Sequence, residues 1–215
     1  NWQLHKMLDI QIRNGLIIDG LGTPAFRGNL GIKEDRIVFV GKEEAEAAEI
    51  IDANGKCVCP GFIDVHNHAD IAVMRNEQIV GLLYQGVTTC VVGNCGFSAF
   101  PLIDGRCAEY VNYSAGVMGK SKSGETAENF EEYAKAVSNS HPLINICSLV
   151  GQGTLHYTRL GLGSKVPTQG QIHSLCNELD ELLCQGAAGL SLGLIYLPGL
   201  TSTKSELRQL AGVVA

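Results

Sequence analysis

Pro60-Gly61-Phe62-Ile63-Asp64-Val65-His66-Asn67-His68-Ala69-Asp70 is the stretch on which the fold turns. Before it, short alternating segments are punctuated by tight-turn pairs. After it, apolar strand-like runs alternate with helical ones. Phe62 to Val65 is read as an apolar strand, and His66 and His68 follow at its C-terminal end. Alternation along a strand places residues i and i+2 on one side, so both imidazoles face the same way. Two neutral imidazoles so placed suit zinc or a similar divalent ion. A plainer reading, two satisfied polar histidines at a strand end, stays open. Asp64 and Asp70 are candidates for carboxylates that orient an imidazole from behind, or for solvated or capping residues.

Upstream, Leu8 to Arg13, Leu16 to Ile18, Gly28 to Ile32, Arg36 to Val40, Ile50 to Asp52 and Lys56 to Cys59 read as strands. Asn14-Gly15 is a hairpin signal between the first two. These form a small β module over residues 1–59. Downstream, residues 60–215 give helical segments at Asn76 to Gln85, Glu125 to Ser138, Gln169 to Gln185 and Lys204 to Val214. Between them lie strands at Val87 to Val92, Leu143 to Val150 and Ala188 to Leu194. The Gln169 helix carries Ile172, Leu175, Leu179, Leu182 and Leu183 on one side, the stripe of a helix packed on a core. Four strand-helix alternations imply a parallel sheet with helices outside it. A complete eightfold barrel takes about 250 residues, and 155 of the 215 lie after Pro60, so a barrel in this chain reaches about its first half.

Composition narrows the classes. With 16 Lys and Arg against 22 Asp and Glu, the net charge is −6. That argues against nucleic acid or an anionic membrane surface as the main partner. No apolar run approaches the roughly 18 residues of a membrane span, and no signal-peptide pattern opens the sequence. The 26 glycines lie beside apolar runs, as they do in the loops of α/β enzymes. Eight irregularly spaced cysteines read mostly as reduced thiols of a cytoplasmic protein.

A second chemical signal is Gly86-Val-Thr-Thr-Cys90-Val-Val-Gly93-Asn94-Cys95-Gly96-Phe97. Cys95 follows a buried strand in a glycine-flanked loop, at the strand end where parallel α/β folds build sites. As a thiolate it can bind zinc, although a lone cysteine is more often a small core residue. Cys90 is read as core, Cys57 and Cys59 as structural thiols, and His5, His141 and His173 as surface residues.

Pro60 to Asp70 and Gly86 to Phe97 together resemble the N-acyl-D-amino-acid deacylase (D-aminoacylase) branch of the amidohydrolase superfamily. Leu149-Val-Gly-Gln-Gly-Thr-Leu155 and Gly186-Ala-Ala-Gly-Leu-Ser-Leu-Gly-Leu-Ile-Tyr-Leu-Pro-Gly199 continue the match. The resemblance implies a metal-dependent (β/α) barrel, here its N-terminal part of about four strand-helix units, beside part of a small β-sandwich. It implies that His66, His68 and Cys95 are metal ligands for one or two divalent ions, Zn²⁺ foremost, and that Tyr196 lies near a small-molecule N-acyl amino acid. The family's later metal histidines and its catalytic Asp have no counterpart in this sequence, so the general base is expected outside this chain. Where the family has Gly-His-Gly-Thr-Leu-Arg, this sequence has Gly151-Gln152-Gly153-Thr154-Leu155-His156. Gln152 is neither a base nor a strong ligand, which marks an altered loop, and His156 is read as a loop residue.

Three functions remain in play. One is amide hydrolysis of N-acyl-D-amino acids. Another is a half-barrel subunit or degenerate form, inactive alone and completed by a partner chain or by its own copy. The third is a cyclic amidase of hydantoinase or dihydroorotase type, disfavoured by a cysteine where those families use a carboxylated lysine.

Overall fold

The computed structural model describes residues 7–103, 105–163 and 166–215; His5 lies outside them. The chain divides into two compact units, Asn1–Gly61 and Phe62–Ala215.

The first unit is one sheet of five strands: β1 (Leu8–Ile17), β2 (Phe26–Lys33), β3 (Arg36–Gly41), β4 (Ala47–Asp52) and β5 (Cys57–Val58). The order is β3-β2-β1-β4, with β5 also pairing β1. The Asn14-Gly15 hairpin expected from sequence does not form. Asn14 takes a left-handed φ of 56°, but the strand runs on through it. The register with β2 slips between Ile12↔Leu30 and Gly15↔Gly28, which is a β-bulge. Left-handed Asn-Gly serves a bulge as well as a turn. Long-range pairing decides here, because the Asn14 backbone N–H is taken by the Asn29 side chain at 3.0 Å.

The second unit holds parallel strands β6 (Phe62–Asp64), β7 (Val87–Val92) and β8 (Asn145–Ser148), paired in that order. After Leu149 the third strand resumes as β9 (Val150–Gly151), which pairs in parallel with β10 (Leu190–Ser191). The strands thus follow chain order across the layer, as in a barrel, rather than reversing as in a doubly wound sheet. Among the described residues six α-helices connect or follow them: α1 (Asn76–Tyr84), α2 (Cys107–Met118), α3 (Phe130–Asn139), α4 (Gln152–Leu160), α5 (Gln169–Cys184) and α6 (Lys204–Val214). Strand residues Cys90, Val92 and Val150 share one buried cluster with Tyr110, Tyr133, Leu155, Leu175, Leu179 and Leu210 from the helices. No described helix is long and apolar enough to cross a membrane.

Several expectations need correction. α3 begins at Phe130 rather than Glu125, because Asn129 caps it by accepting the Glu132 N–H at 2.9 Å. Within the stretch read as a strand from Ala188 to Leu194, only Leu190–Ser191 pairs. α2 was not expected at all. Its buried positions Tyr110, Ser114 and Met118 form a narrow stripe broken by a serine, so hydrophobic periodicity does not announce it. The segment after the third strand, read as an altered loop, is helix α4, with Gln152 through Thr158 all buried.

Candidate metal centre

β6 ends at Asp64 because that carboxylate accepts the His66 backbone N–H (3.2 Å) and the Asn67 side-chain amide (2.7 Å), turning the chain out of the strand. His66 and His68 therefore sit in the segment after the strand, not on it, and the strand itself is exposed rather than buried, with Phe62 and Ile63 about 60% accessible. The two rings nonetheless converge, with centroids 5.8 Å apart and nearly perpendicular.

Cys95 reaches them from the loop after β7. Its Sγ lies 3.1 Å from His66 Nε2, and ligand atoms of His66, His68 and Cys95 all lie within 4.8 Å of one another. His68 Nδ1 is buried without a hydrogen-bond partner. Burial, with the His66 ring beside it, holds the His68 pKa below the ordinary imidazole range. Two imidazoles and a thiol, one ring nitrogen orphaned, form a donor set that fits a zinc-like ion.

The loop that carries Cys95 is held from three sides. Cys95 has φ +54°, between Gly93 and Gly96 at +77° each. Gly93 N–H donates to Asp70 Oδ1 at 2.8 Å, and Gly96 N–H to Ser191 Oγ at 2.9 Å. Ser191 Oγ donates to Gly93 O, Tyr196 Oη to Cys95 O, and Thr154 N–H to Gly96 O at 3.1 Å. The last bond caps the first turn of α4, whose own N-cap, Gly151, has no side chain to do so. Bare backbone is required here: a Cβ on Gly93 would stand 2.1 Å from Leu149 O, and one on Gly193 2.0 Å from Cys95 O.

Asp64 and Asp70 were candidates either for orienting an imidazole or for solvated or capping residues. Asp64 caps the turn at His66 and Asn67, while Asp70, fully buried, holds Gly93. Burial raises the Asp70 pKa to about 7, against the opposing pull of backbone N–H groups. Tyr196 stacks on Phe97 with centroids 4.9 Å apart; burial, with Cys95 alongside, pushes its hydroxyl up to about 12. Cys90 is core, Cys57 and Cys59 are exposed, and all eight cysteines are free. His141 and His173 are exposed.

These glycine-lined strand ends carry the resemblance stated from sequence, and comparison with known proteins bears it out. The model for "Amidohydrolase family" matches residues 49–141. An N-acyl-D-glutamate deacylase of Alcaligenes xylosoxydans xylosoxydans is 33% identical over 213 residues, covering 99% of this chain and 42% of the relative. The chain matches the N-terminal part of these amidohydrolases. A D-aminoacylase from the same organism is 32% identical, over 93% of this chain and 40% of its own length. The crystal structure of N-acyl-D-glutamate deacylase from Bordetella bronchiseptica, complexed with zinc and a phosphonate mimic of the tetrahedral intermediate, superposes with a TM-score of 0.85. It is 35% identical, with 97% of this chain and 43% of that one covered. L-hydantoinase from Arthrobacter aurescens, at 16% identity and a TM-score of 0.56, shares the fold alone. The chain thus spans about two fifths of the length of the curated amidohydrolases it matches.

One further feature escaped the sequence reading. His156 and Gln152, read as loop residues, are fully buried on α4, and both face Glu206 of α6. Glu206 Oε1 lies 3.0 Å from His156 Nδ1 and 3.0 Å from Gln152 Nε2. Nothing local signals it, since Glu206 lies 50 and 54 positions away along the chain.

Proposed function

We propose that this chain supplies the first half of the metal shell of a hydrolase acting on the amide bond of N-acyl-D-amino acids. The observation that carries the reading is the convergence of His66, His68 and Cys95 at neighbouring strand ends. Zn²⁺ held there would lower the pKa of a bound water and polarise the acyl carbonyl. The chain's own part is to present two imidazoles and a thiol in fixed geometry. Asp70 and Ser191 hold the Cys95 loop from behind, and Tyr196 forms the half-buried wall beside it on the substrate side. The carboxylate that moves the proton is assigned to no residue of this chain. Asp64 accepts from the His66 and Asn67 N–H groups and Asp70 from Gly93 N–H.

Metal binding by the chain itself gives the first test. Equilibrium dialysis against zinc is expected to load about one ion per chain. His68→Ala and Cys95→Ser are expected to weaken binding at least as much as the roughly 10–100-fold loss seen when only a supporting partner is removed. Unchanged affinity in both variants would overturn the assignment. For the reaction, the full product of the reading frame is expected to hydrolyse N-acetyl-D-amino acids and spare the L enantiomers. Turnover of hydantoins with none of N-acetyl-D-amino acids would replace this reading with the cyclic amidase, which at present has only the shared fold behind it.

A second reading, a half-barrel completed by a partner chain or by a second copy, is favoured by a specific observation. Among the described residues β6 pairs only with β7 and β10 only with β9, so the strand series ends in two open edges.

A further inference from the structure

We propose that Ser191 is a positioning residue for Cys95, fixing the thiol where it can ligate a metal; this rests on the metal-centre reading above. Cys95 is held in the left-handed region, with φ +54°, which disfavours any side chain with a Cβ. Such a conformation persists only where its surroundings over-determine it. Of the groups that hold this loop, the Ser191 hydroxyl alone takes both ends: it accepts from Gly96 N–H at 2.9 Å and donates to Gly93 O. Gly93 and Gly96 bracket Cys95, so one oxygen closes the turn whose apex carries the thiol.

Ser191 is buried, 9% accessible, and comes from a different strand. β10 is fixed beside β9 through Ser191↔Gly151, and a Cβ on Gly151 would stand 2.6 Å from Gly96 carbonyl atoms. The serine therefore ties the thiol's conformation to closure of β10 onto the sheet. Tyr196, five residues on, adds a hydrogen bond to Cys95 O, but it touches one peptide group where Ser191 touches two.

The test uses Co²⁺ alone as the probe, because a thiolate ligand gives Co²⁺ a charge-transfer absorption that imidazole does not. The unaltered chain, Ser191→Ala, Ser191→Thr and Ser191→Val are each titrated, and absorbance is divided by bound Co²⁺. Threonine and valine have nearly the same shape, so their difference isolates the hydroxyl even if the alanine variant fails to fold. Expected is a full band with threonine, and a band reduced several-fold per bound ion with valine and alanine, with affinity weaker by about 10-fold or more. A merely structural serine would lower the melting temperature and leave the band per bound ion unchanged, and that result overturns the proposal. Absence of the band in the unaltered chain, with Cys95→Ser binding equally well, overturns the metal reading itself and this inference with it.

Discussion

Arg75 and Glu125 show what a single pair does when both partners leave water. Arg75 Nε donates to Glu125 Oε1 at 2.7 Å, a second guanidinium N–H reaches Oε2, and the Lys122 backbone N–H donates to the same oxygen. The two side chains are 13% and 11% accessible. Burial alone would raise the Glu125 pKa, but the Arg75 and Lys122 hydrogen bonds outweigh it and hold the carboxyl below its ordinary 4.5. A carboxylate with a depressed folded-state pKa stabilises the fold above its unfolded value, and that contribution is lost as pH falls through the lower one. The melting temperature is therefore expected to drop as pH falls below about 4.5, and Glu125→Gln is expected to flatten that part of the profile while lowering stability at neutral pH. Equal slopes for the two proteins in thermal melts at stepped pH would rule the pair out as the cause. Sequence could not announce this pair, because its partners lie 50 residues apart. His66, His68 and Cys95 were legible for the opposite reason: residue types able to ligate a metal are few, and the glycine-rich settings here are local. Even there the strand-alternation argument gave the right neighbours by the wrong route, since Asp64 turns the chain before His66.

At the scale of the element, α5 and α4 mark the limits of reading periodicity. α5 was legible because Ile172, Leu175, Leu179 and Leu182 are all buried on one face, and because its start carries a reciprocal cap, Thr168 accepting from Gln171 N–H and Gln171 returning to the Thr168 N–H. The two devices differ in magnitude. Leu179→Ala removes a fully buried side chain and is expected to cost about 2–5 kcal/mol. Thr168→Ala removes an exposed cap and is expected to cost about 1 kcal/mol. Chemical denaturation of both variants checks the order, and a larger loss for the cap would mean that the helix is held by its end rather than its face. α4 was illegible because Gln152, Thr154, His156 and Thr158 are buried by hydrogen bonding rather than by hydrophobicity. Thr154 accepts from Ser98 N–H at 2.8 Å, and Glu206 gathers Gln152 and His156. Glu206→Ala strands a buried imidazole and amide, so it is expected to destabilise by about 1–3 kcal/mol for each group left unpaired, and more than Glu206→Gln, in the same denaturation experiment. Equal losses would mean that the carboxylate both variants lack is what matters and that the volume of the side chain does not.

For the molecule as a whole, chain-order parallel strands give, among the described residues, a first strand paired only with β7 and a last one paired only with β9. In a closed barrel those edges meet through further strands; here β6 and β10 stand open among the described residues. The side chains on β6 and just after the two strands are the wrong ones for water: Phe62, Ile63 and Val65 are 58%, 61% and 68% accessible, and Leu192, Leu194 and Ile195, which follow β10, are 44%, 43% and 85%. Open edges with apolar faces template pairing with another chain. Studied by itself, the 215-residue chain is therefore expected to associate, shifting toward larger species in size-exclusion chromatography with light scattering as concentration rises. Ile63→Lys with Ile195→Lys places one charge on β6 and one in the turn after β10, and charged residues at sheet edges are a device by which natural sheets discourage such pairing. The double variant is expected to shift the chain toward monomer without loss of zinc binding, since neither residue belongs to the ligand set. A monomer at every concentration in the unaltered chain would mean that the edges are covered from within the chain, and the half-barrel reading would then lose its physical basis.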